Sequence, residues 1–160
     1  MSFDTPAGTR GSRQPAGWAF LWLNKLLAGR IRRWSGGTFL GLNALVLTTV
    51  GRKSGQQRTT PVGYFPGKEG SWLIVASAAG AAGNPAWYYN LAAHPDKVKV
   101  EIEGRTVAVI AEQLHGVERE QAWEQIIAAA PRFGQYQHKT DRELPIIRLV
   151  PRSGEETSQE

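Results

Sequence analysis

VGRKSGQQRTTPVGYF, residues 50–65, joins two β-prone runs through a turn that is flanked by Gly51 and Gly55. Glycine permits the tight backbone turn that a hairpin needs. The turn and its exit carry three cations and a hydroxyl: Arg52, Lys53, Ser54 and Arg58. Free N–H groups, positive charge and a hydroxyl together suit an anion. The stretch therefore predicts two antiparallel strands with a candidate anion site between them.

Other interpretations of this turn differ in how well they fit. An ordinary solvated hairpin turn explains the same residues, because basic residues are common in turns. A Walker phosphate loop does not fit, since it requires glycines where this chain has Leu47 and Arg52, and no helix signal follows. The G-x-G-x-x-G pattern of dinucleotide-binding folds does not occur in the chain. From these residues alone, an anion site and a plain turn both stay open.

Strand signals dominate the chain outward from this turn. In the clearest case, Val98, Val100 and Ile102 alternate with charged residues, as in a half-buried strand. Runs of this kind predict six strands: Ala44–Val50, Thr59–Phe65, Ser71–Ser77, Val98–Ile102, Thr106–Leu114 and Ile146–Val150. About six mostly antiparallel strands with few helices indicate a mainly β fold, a small barrel or a sandwich.

Two helices are predicted between these strands. Asn84 is expected as an N-cap before Pro85, opening a helix that ends at Ala93. A second helix is expected from Val117 to Ala130. The segment AAGAAGNPAWYYN, residues 78–90, combines small residues that let a ligand approach with aromatic residues that can cover a flat ring. Packing in the core explains the aromatic residues equally well.

Composition limits the classes of function. The 160 residues correspond to one domain, and the absence of cysteine excludes disulfides and thiolate metal sites. The net charge of +5 resides in residues 1–34, which contain six cations and one anion, so the body of the chain is neutral. A neutral body argues against nucleic-acid binding. The three histidines lack metal-ligand spacing, so no metal is expected, and a bound cofactor would carry any reaction.

The N-terminal region is predicted to be separate from the barrel. Residues 1–16 have the composition of a flexible segment, and residues 17–35 that of an amphipathic helix. Charges interrupt this helix, which excludes a membrane span, but its cations and apolar face suit contact with an anionic membrane. Docking on the barrel or on a second subunit explains the same pattern. The barrel is expected over residues 38–152, followed by a flexible tail at 153–160.

Three motifs in register carry a resemblance to a known family. GRKSGxxRTTPVGY, VASAAG and NPAWYYNL-xx-HP, with the tail PRFGQYQHKTDRELPIIRLVP, resemble the deazaflavin-dependent nitroreductases of actinobacteria, also described as coenzyme F-420-dependent quinone reductases. The resemblance extends from about Leu45 to Pro151. It implies a split β-barrel, reduced coenzyme F-420 as cofactor, and hydride transfer to a quinone such as menaquinone, with nitro compounds as further acceptors. It also implies a site on the cytoplasmic side and permits a homodimer.

The resemblance also implies roles for individual residues. Tyr136 and Ser77 match positions that face the acceptor, and Tyr64 is a weaker candidate. The cofactor's phosphate and oligoglutamate tail would lie at the glycine-flanked turn, and its ring along the two later motifs. The implied cofactor-binding residues are Arg52, Lys53, Ser54, Gly55, Arg58, Pro61, Val62, Gly63, Ala76, Ser77, Ala78, Ala79, Gly80, Asn84, Pro85, Ala86, Trp87, Tyr88 and Asn90.

Departures from the family pattern concern the acceptor. Ala78 and Ala79 stand where relatives often carry a lysine beside Gly80, and Ala130 and Phe133 stand where some nitroimidazole-reducing relatives have tyrosines. Reduction of nitro drugs is therefore not implied. Two other functions compete with the deazaflavin enzyme: an FMN-dependent reductase or oxidase on the same barrel, and a non-catalytic carrier of a deazaflavin, haem or lipid.

Overall fold

The computed structural model describes residues 3–11, 38–39 and 42–157. Within these ranges the chain is mainly β, and every strand pair is antiparallel. The strands are β1 (Thr38–Phe39), β2 (Leu42–Val50), β3 (Gln57–Gly63), β4 (Phe65–Pro66), β5 (Trp72–Val75), β6 (Val98–Ile102), β7 (Arg105–Gln113) and β8 (Ile146–Thr157). The prediction of a mainly β, antiparallel fold is confirmed.

The sheet is curled, and the segment from β3 to β4 connects the strands at its two ends. Its main path runs β1–β2–β6–β7–β8–β5–β4, and β3 pairs with β2 beside this path. Only Tyr64 separates β3 from β4, and its N–H donates to the Asn43 carbonyl of β2 at 2.9 Å. One bent segment therefore links β2 to β5, which closes the sheet into a split barrel and leaves few free strand edges.

Apolar side chains on the two faces of the sheet form two clusters. Inside the barrel, Leu45, Val100 and Leu149 are among the fully buried residues. Outside, Leu73 and Val75 pack with residues of the later helices, while their neighbour Ile74 points into the barrel. A strand buried on both faces explains why β5 is apolar at every position rather than alternating.

In the described part of the chain, three α-helices cover the barrel: α1 (Ala86–Ala93), α2 (Gly116–Ala129) and α3 (Arg132–Lys139). The first two agree with prediction within one or two residues. The expected capping of α1 is wrong, because Pro85 is its N-cap residue and no side chain caps it. Asn84 instead donates through its amide to the Thr5 carbonyl and accepts from Arg142. Helix α3 was not predicted, since its sequence is only eight residues long, is mostly polar and contains Gly134.

Strand bounds differ from the predictions mainly at the ends. The expected strand Thr59–Phe65 begins at Gln57 and is interrupted at Tyr64, and the expected Ser71–Ser77 is shortened to Trp72–Val75. The last strand continues past Val150 to Thr157, where it pairs with β7. In this part of the chain, backbone pairing with a neighbouring strand extends the element beyond its apolar residues.

Residues 3–11 lie against the barrel. The Thr5 N–H donates to the Tyr88 hydroxyl at 3.1 Å, the Gln113 side chain donates to Thr5 Oγ1 at 2.7 Å, and the Gly8 N–H donates to the Ala82 carbonyl at 2.7 Å. The amphipathic helix expected over residues 17–35 lies outside the described residues, so the domain boundaries stay a prediction. No helix in the described ranges has the length and hydrophobicity to cross a membrane.

Candidate functional site

The turn between β2 and β3 presents its polar side chains to solvent. Backbone hydrogen bonds hold its shape: Gly51 N–H to the Gln56 carbonyl at 2.7 Å, and Gly55 N–H to the Gly51 carbonyl at 2.9 Å. Gly55 has φ +71°, a conformation that favours glycine. Ser54 Oγ accepts from the Gln56 N–H at 3.1 Å, which leaves its proton free to be donated outward.

This turn is fastened to helix α1 by Asn90. The buried Asn90 amide accepts from the Arg52 N–H at 3.1 Å and donates to Thr49 Oγ1 at 3.2 Å. The Arg52 guanidinium carbon lies 4.8 Å from the centre of the Tyr89 ring, a cation–π distance. Asn90 therefore acts on the turn's geometry, and the exposed Arg52 and Lys53 keep donors available for a ligand.

The segment from Ala76 to Gly80 leaves β5 and forms a 3₁₀ turn, Ala78–Gly80. Ala76 is fully buried, and its N–H donates to the Pro145 carbonyl at 2.9 Å. Ala78 has φ +46°, which is uncommon for a residue with a Cβ atom and costs conformational energy. Ser77 and Ala78 are partly exposed, whereas Ala76 and Gly80 are buried, so a ligand can reach this turn at Ser77 and Ala78.

Gly80 explains how helix α3 reaches this turn. Its φ is +82°, and a Cβ atom at this position would lie 2.7 Å from the Tyr136 carbonyl oxygen. The absence of a side chain therefore lets α3 pack directly on the turn that begins with Ser77. Tyr136 is half-buried, its ring edge-on to Phe133 at 5.5 Å, with Lys139 Nζ 5.8 Å from the ring centre. The structure thus brings the segments of two predicted acceptor residues, Tyr136 and Ser77, together.

Tyr64 is the third residue that the resemblance assigns to the acceptor. It lies between β3 and β4, half-buried against the barrel core. Burial raises the pKa of its hydroxyl, and the charge of Glu103 in the β6–β7 turn raises this pKa further. The Tyr64 hydroxyl is therefore within electrostatic reach of the β6–β7 turn. Strand β3, which ends just before Tyr64, carries Pro61, which is buried, and Val62 and Gly63, which are partly exposed.

The aromatic residues of α1 divide between core and site. Tyr88 is 1% exposed, donates its hydroxyl proton to Gln113 at 2.6 Å, and contacts Phe3 and Tyr89 edge-on. Burial is the main cause that raises the pKa of this hydroxyl. Of the two roles that the sequence left open for Tyr88, the structure gives the core. Trp87 is partly exposed and Ala86 is exposed, so both are accessible at the start of α1.

Sequence reasoning missed Arg142, which bonds to the Ala76–Asn84 segment from inside. The triplet Asp141-Arg142-Glu143 has the pattern of a solvated loop, yet Arg142 is 2% exposed while both neighbours are exposed. The only local signal is the following Leu144-Pro145, which returns the chain to the core. The hydrogen-bond partners of Arg142 lie too far away in sequence for any local pattern to indicate them.

The donor set fits an anionic, elongated cofactor better than a metal. Exposed Arg52 and Lys53 offer charge, and the turn before Gly80 presents the partly exposed small residues Ser77 and Ala78. Among the described residues no group of three His, Asp or Glu side chains is arranged to hold a metal ion. The arrangement can therefore hold an anion at one end and a ring at the other.

The chain is similar to proteins that are described as dependent on F420H(2). The F420H(2)-dependent quinone reductase family matches residues 26–151. An F420H(2)-dependent quinone reductase of Mycobacterium tuberculosis is 36% identical over 113 residues, which cover 68% of this chain and 74% of that protein. The solved structure of an F420-H2 dependent reductase has a TM-score of 0.60 and 33% identity, covering 71% of this chain and 99% of the other.

A second solved structure, described as a domain-swapped dimer, has a TM-score of 0.61 and 30% identity, and covers 80% of this chain and 96% of the other. The family match includes the turn at Arg52, the segment around Gly80 and the helix with Tyr136. The motif resemblance and the split barrel expected from it are confirmed. This chain belongs to the F420H(2)-dependent quinone reductase family.

Proposed function

We propose that this chain binds reduced coenzyme F-420 and directs its hydride to a quinone. The observation that carries the proposal is the exposed pair Arg52 and Lys53, on a turn that Asn90 fixes to the same helix whose first residues adjoin the Gly80 segment. An anion anchor and a backbone surface for a ring are thereby held in one rigid unit.

The anionic end of the cofactor is assigned to the turn. Arg52 and Lys53 supply charge and Ser54 supplies a hydroxyl proton; Arg58, on β3 opposite Thr49, adds a third cation. The Gly55 N–H is used within the turn, where it donates to the Gly51 carbonyl. A charge-assisted hydrogen bond contributes about 1.5–3 kcal/mol, less where the side chain is solvated. These bonds persist whether or not the ring reacts, so they serve affinity.

The ring is assigned to the surface formed by residues 61–63, 76–80 and 84–87. Small residues there let the backbone approach a planar group, and Trp87 can cover its edge. The reduced cofactor supplies the hydride; the chain orients the ring and excludes water. The Tyr88 ring and the Asn90 amide act behind this surface, as core and as turn anchor.

The acceptor is assigned to the side where helix α3 meets the Ser77 turn. A quinone that receives a hydride needs one proton to become a neutral hydroquinone. The Tyr136 hydroxyl and the Ser77 hydroxyl are the groups we assign to orient the quinone oxygen or to donate that proton. Tyr64 is a lesser candidate, because it lies by the β6–β7 turn.

Anaerobic mixing of the protein with reduced coenzyme F-420 and menadione tests the function. We expect the final absorbance of the oxidised deazaflavin to be proportional to the amount of menadione added. The initial rate at which it appears should be proportional to the protein concentration. Without menadione it should not appear. A protein that binds the reduced cofactor but oxidises it with no acceptor in a panel of quinones and nitro compounds would instead be a carrier. Binding of FMN in preference to the deazaflavin would favour the flavin enzyme.

Location and assembly extend the proposal from the sequence alone. Cations and apolar residues at 18–34 suit a cytoplasmic protein that touches an anionic membrane, where menaquinone is dissolved. We expect co-sedimentation with anionic vesicles that high salt weakens and that deletion of residues 1–34 abolishes while the barrel stays folded. Binding that survives this deletion contradicts the assignment.

A homodimer is the second expectation, and the molecular mass measured by light scattering decides it.

A further inference from the structure

Arg142 uses its whole guanidinium group inside the protein. The side chain is 2% exposed, and its nitrogen atoms make five hydrogen bonds. Nε donates to the Ala81 carbonyl at 3.1 Å; Nη1 donates to the Ala76 carbonyl at 2.9 Å and to Asn84 Oδ1 at 2.7 Å; Nη2 donates to the Ser77 carbonyl at 2.8 Å and to the Ala81 carbonyl at 3.0 Å. A guanidinium has five N–H donors, so the number of bonds equals its full capacity.

No carboxylate balances this charge within the described part of the chain. The ion pairs found there involve other cations, and the neighbouring Asp141 accepts from Thr9 and Arg10. Burial lowers the pKa of Arg142, as expected for a cation removed from water. A buried charge without an opposite charge is costly unless its hydrogen bonds are all made. Carbonyl and amide oxygens of one short segment, residues 76–84, provide all of them.

The bonds of Arg142 reach the surfaces assigned to the ring and to the anion. Ala76 and Ser77 form the start of the segment that faces the ring. Asn84 lies before α1, and its amide nitrogen is 3.4 Å from the Tyr89 hydroxyl, whose ring contacts the Arg52 guanidinium. A continuous path therefore leads from Arg142 to the anion turn.

The main chain of Arg142 is bonded to the end of helix α3. Its N–H donates to Thr140 Oγ1 at 3.1 Å, and its carbonyl accepts from Gln137 Nε2 at 2.7 Å. Gln137 follows Tyr136 directly, and the Tyr136 carbonyl lies against Gly80. One residue is thus joined to both the segment assigned to the ring and the helix assigned to the acceptor.

We propose that Arg142 is the positioning residue of this site, setting the distance and angle between the Ala76–Asn84 segment and helix α3. The inference rests on the proposed function for its catalytic consequence, although the positioning itself does not. Arg142 is not assigned to touch the cofactor or the quinone; it acts through the carbonyl groups that it holds. A lysine at this position keeps the charge but has three donors that cannot match the planar set of acceptors.

Amide hydrogen exchange of Arg142→Lys, measured without cofactor, is the first arm of the test. We expect faster exchange in peptides covering residues 76–84 and 134–140, and unchanged exchange in the β6–β7 hairpin, residues 98–111. Arg148→Lys is the matched control, because Arg148 is a partly buried arginine whose partners are two carboxylates outside residues 76–84, Glu112 on β7 and Glu118 on α2. That variant should leave the exchange of residues 76–84 at the parent rate.

Kinetics form the second arm, at a temperature where both variants are folded. Misplacement of about 1 Å costs about 100-fold in rate, so we expect Arg142→Lys to lower kcat with menadione by about 10- to 100-fold. The dissociation constant of the reduced cofactor should change less than about threefold, since the anion turn keeps its charge. Asn84→Ala, which removes one of the acceptors, should shift exchange and kcat in the same direction by less.

Each outcome bears on the inference. Unchanged exchange at residues 76–84 in both the Arg142→Lys and Asn84→Ala proteins overturns it. A lowered melting temperature with parent kcat in the folded protein also overturns it, because it gives Arg142 a purely structural role. If Arg142→Lys does not fold, Asn84→Ala decides by the same two measurements. If the parent oxidises no reduced cofactor, the proposed function fails, whereas the exchange arm still decides whether Arg142 positions the segment.

Discussion

The turn from Gly51 to Gly55 and the segment from Ala76 to Asn84 are both assigned to the cofactor, but they are built in opposite ways. The turn is exposed and holds its shape through its own backbone, with Asn90 as its anchor. The segment is largely buried and depends on five bonds from one distant arginine. An exposed charge can bind a ligand, and a buried network can hold geometry.

The difference predicts a division of labour. Cations in solvent contribute to ground state and transition state alike, so they should govern cofactor affinity. A segment held at fixed distance from the acceptor helix should govern the rate of the hydride step. Substitutions in the two regions should therefore separate affinity from turnover.

The largest effect is expected from replacing Arg142, which makes the five hydrogen bonds to the Ala76–Asn84 segment. Arg142→Met leaves several buried oxygen atoms without partners, each costing about 1–3 kcal/mol, so we expect the free energy of unfolding to fall by about 3–5 kcal/mol. Urea denaturation measures this. Arg148→Met is the control; its partners Glu112 and Glu118 are partly solvated, and a loss of about 1 kcal/mol is expected. Equal losses in the two proteins would contradict the special role of the Arg142 network.

Removal of charge from the turn should give the next largest effect. In Arg52→Ala/Lys53→Ala we expect the dissociation constant of reduced coenzyme F-420 to rise about 10- to 100-fold, because two partly solvated charge-assisted contacts are lost. The parent's affinity should fall as salt is added, and the variant's should fall less. Titration followed by fluorescence measures both.

The control for this substitution removes the same charge elsewhere. Lys68→Ala/Arg105→Ala deletes one cation from the 3₁₀ turn at residues 68–70 and one from the start of β7. Cofactor affinity in this protein should match the parent's. A similar loss of affinity in both double variants would mean that net charge, and not the turn, determines binding.

Tyr136→Phe tests the acceptor side. It should lower kcat by about tenfold, or by more if the hydroxyl transfers the proton. Edge-on packing with Phe133 survives the change, so the fold and the cofactor affinity should be retained. Steady-state rates with several quinones measure the effect. Parent rates with every acceptor would reduce Tyr136 to a packing role.

A small pH effect is expected where the N-terminal segment meets the loop before Arg142. Hydrogen bonds from Thr9 lower the pKa of Asp141 from 3.8 to about 2. A depressed pKa means that the ionised carboxylate stabilises the fold above about pH 4 and that this contribution disappears as pH falls through about 2. The difference in melting temperature between the parent and Asp141→Asn should therefore shrink from pH 6 to pH 2. A difference that is constant over this range would show that the charge of Asp141 contributes nothing.

Local patterns located six strands and the turn, but they missed β1 and the break at Tyr64 that separates β3 from β4. Alternation at Val98–Ile102 predicted β6 with its bounds, and the glycines and cations around Arg52 indicated the turn directly. Helix α3 was missed because its eight residues are mostly polar, include Gly134 and follow the preceding helix after only two residues, so they look like a loop. Its stability comes from contacts that no window of sequence contains, such as Phe133 against Phe65.

The network around Arg142 was hidden for a different reason. Its acceptors lie 58 to 66 residues earlier in the chain, and three of the four are backbone carbonyls, which have no residue-type signature. Asn84 was interpreted as a helix cap because local sequence favours that role, yet a distant guanidinium takes its oxygen atom. The turn at Arg52 was visible in the sequence because the role proposed for it depends on its own side chains.

The most direct test of this division is a single-turnover measurement on Arg52→Ala/Lys53→Ala, with reduced coenzyme F-420 and menadione both at saturating concentration. If the turn serves affinity alone, the rate at saturation lies within about threefold of the parent's, although a much higher cofactor concentration is needed to reach it. A rate that stays ten or more times below the parent's at saturation would contradict the account, because the turn would then also position the ring for hydride transfer.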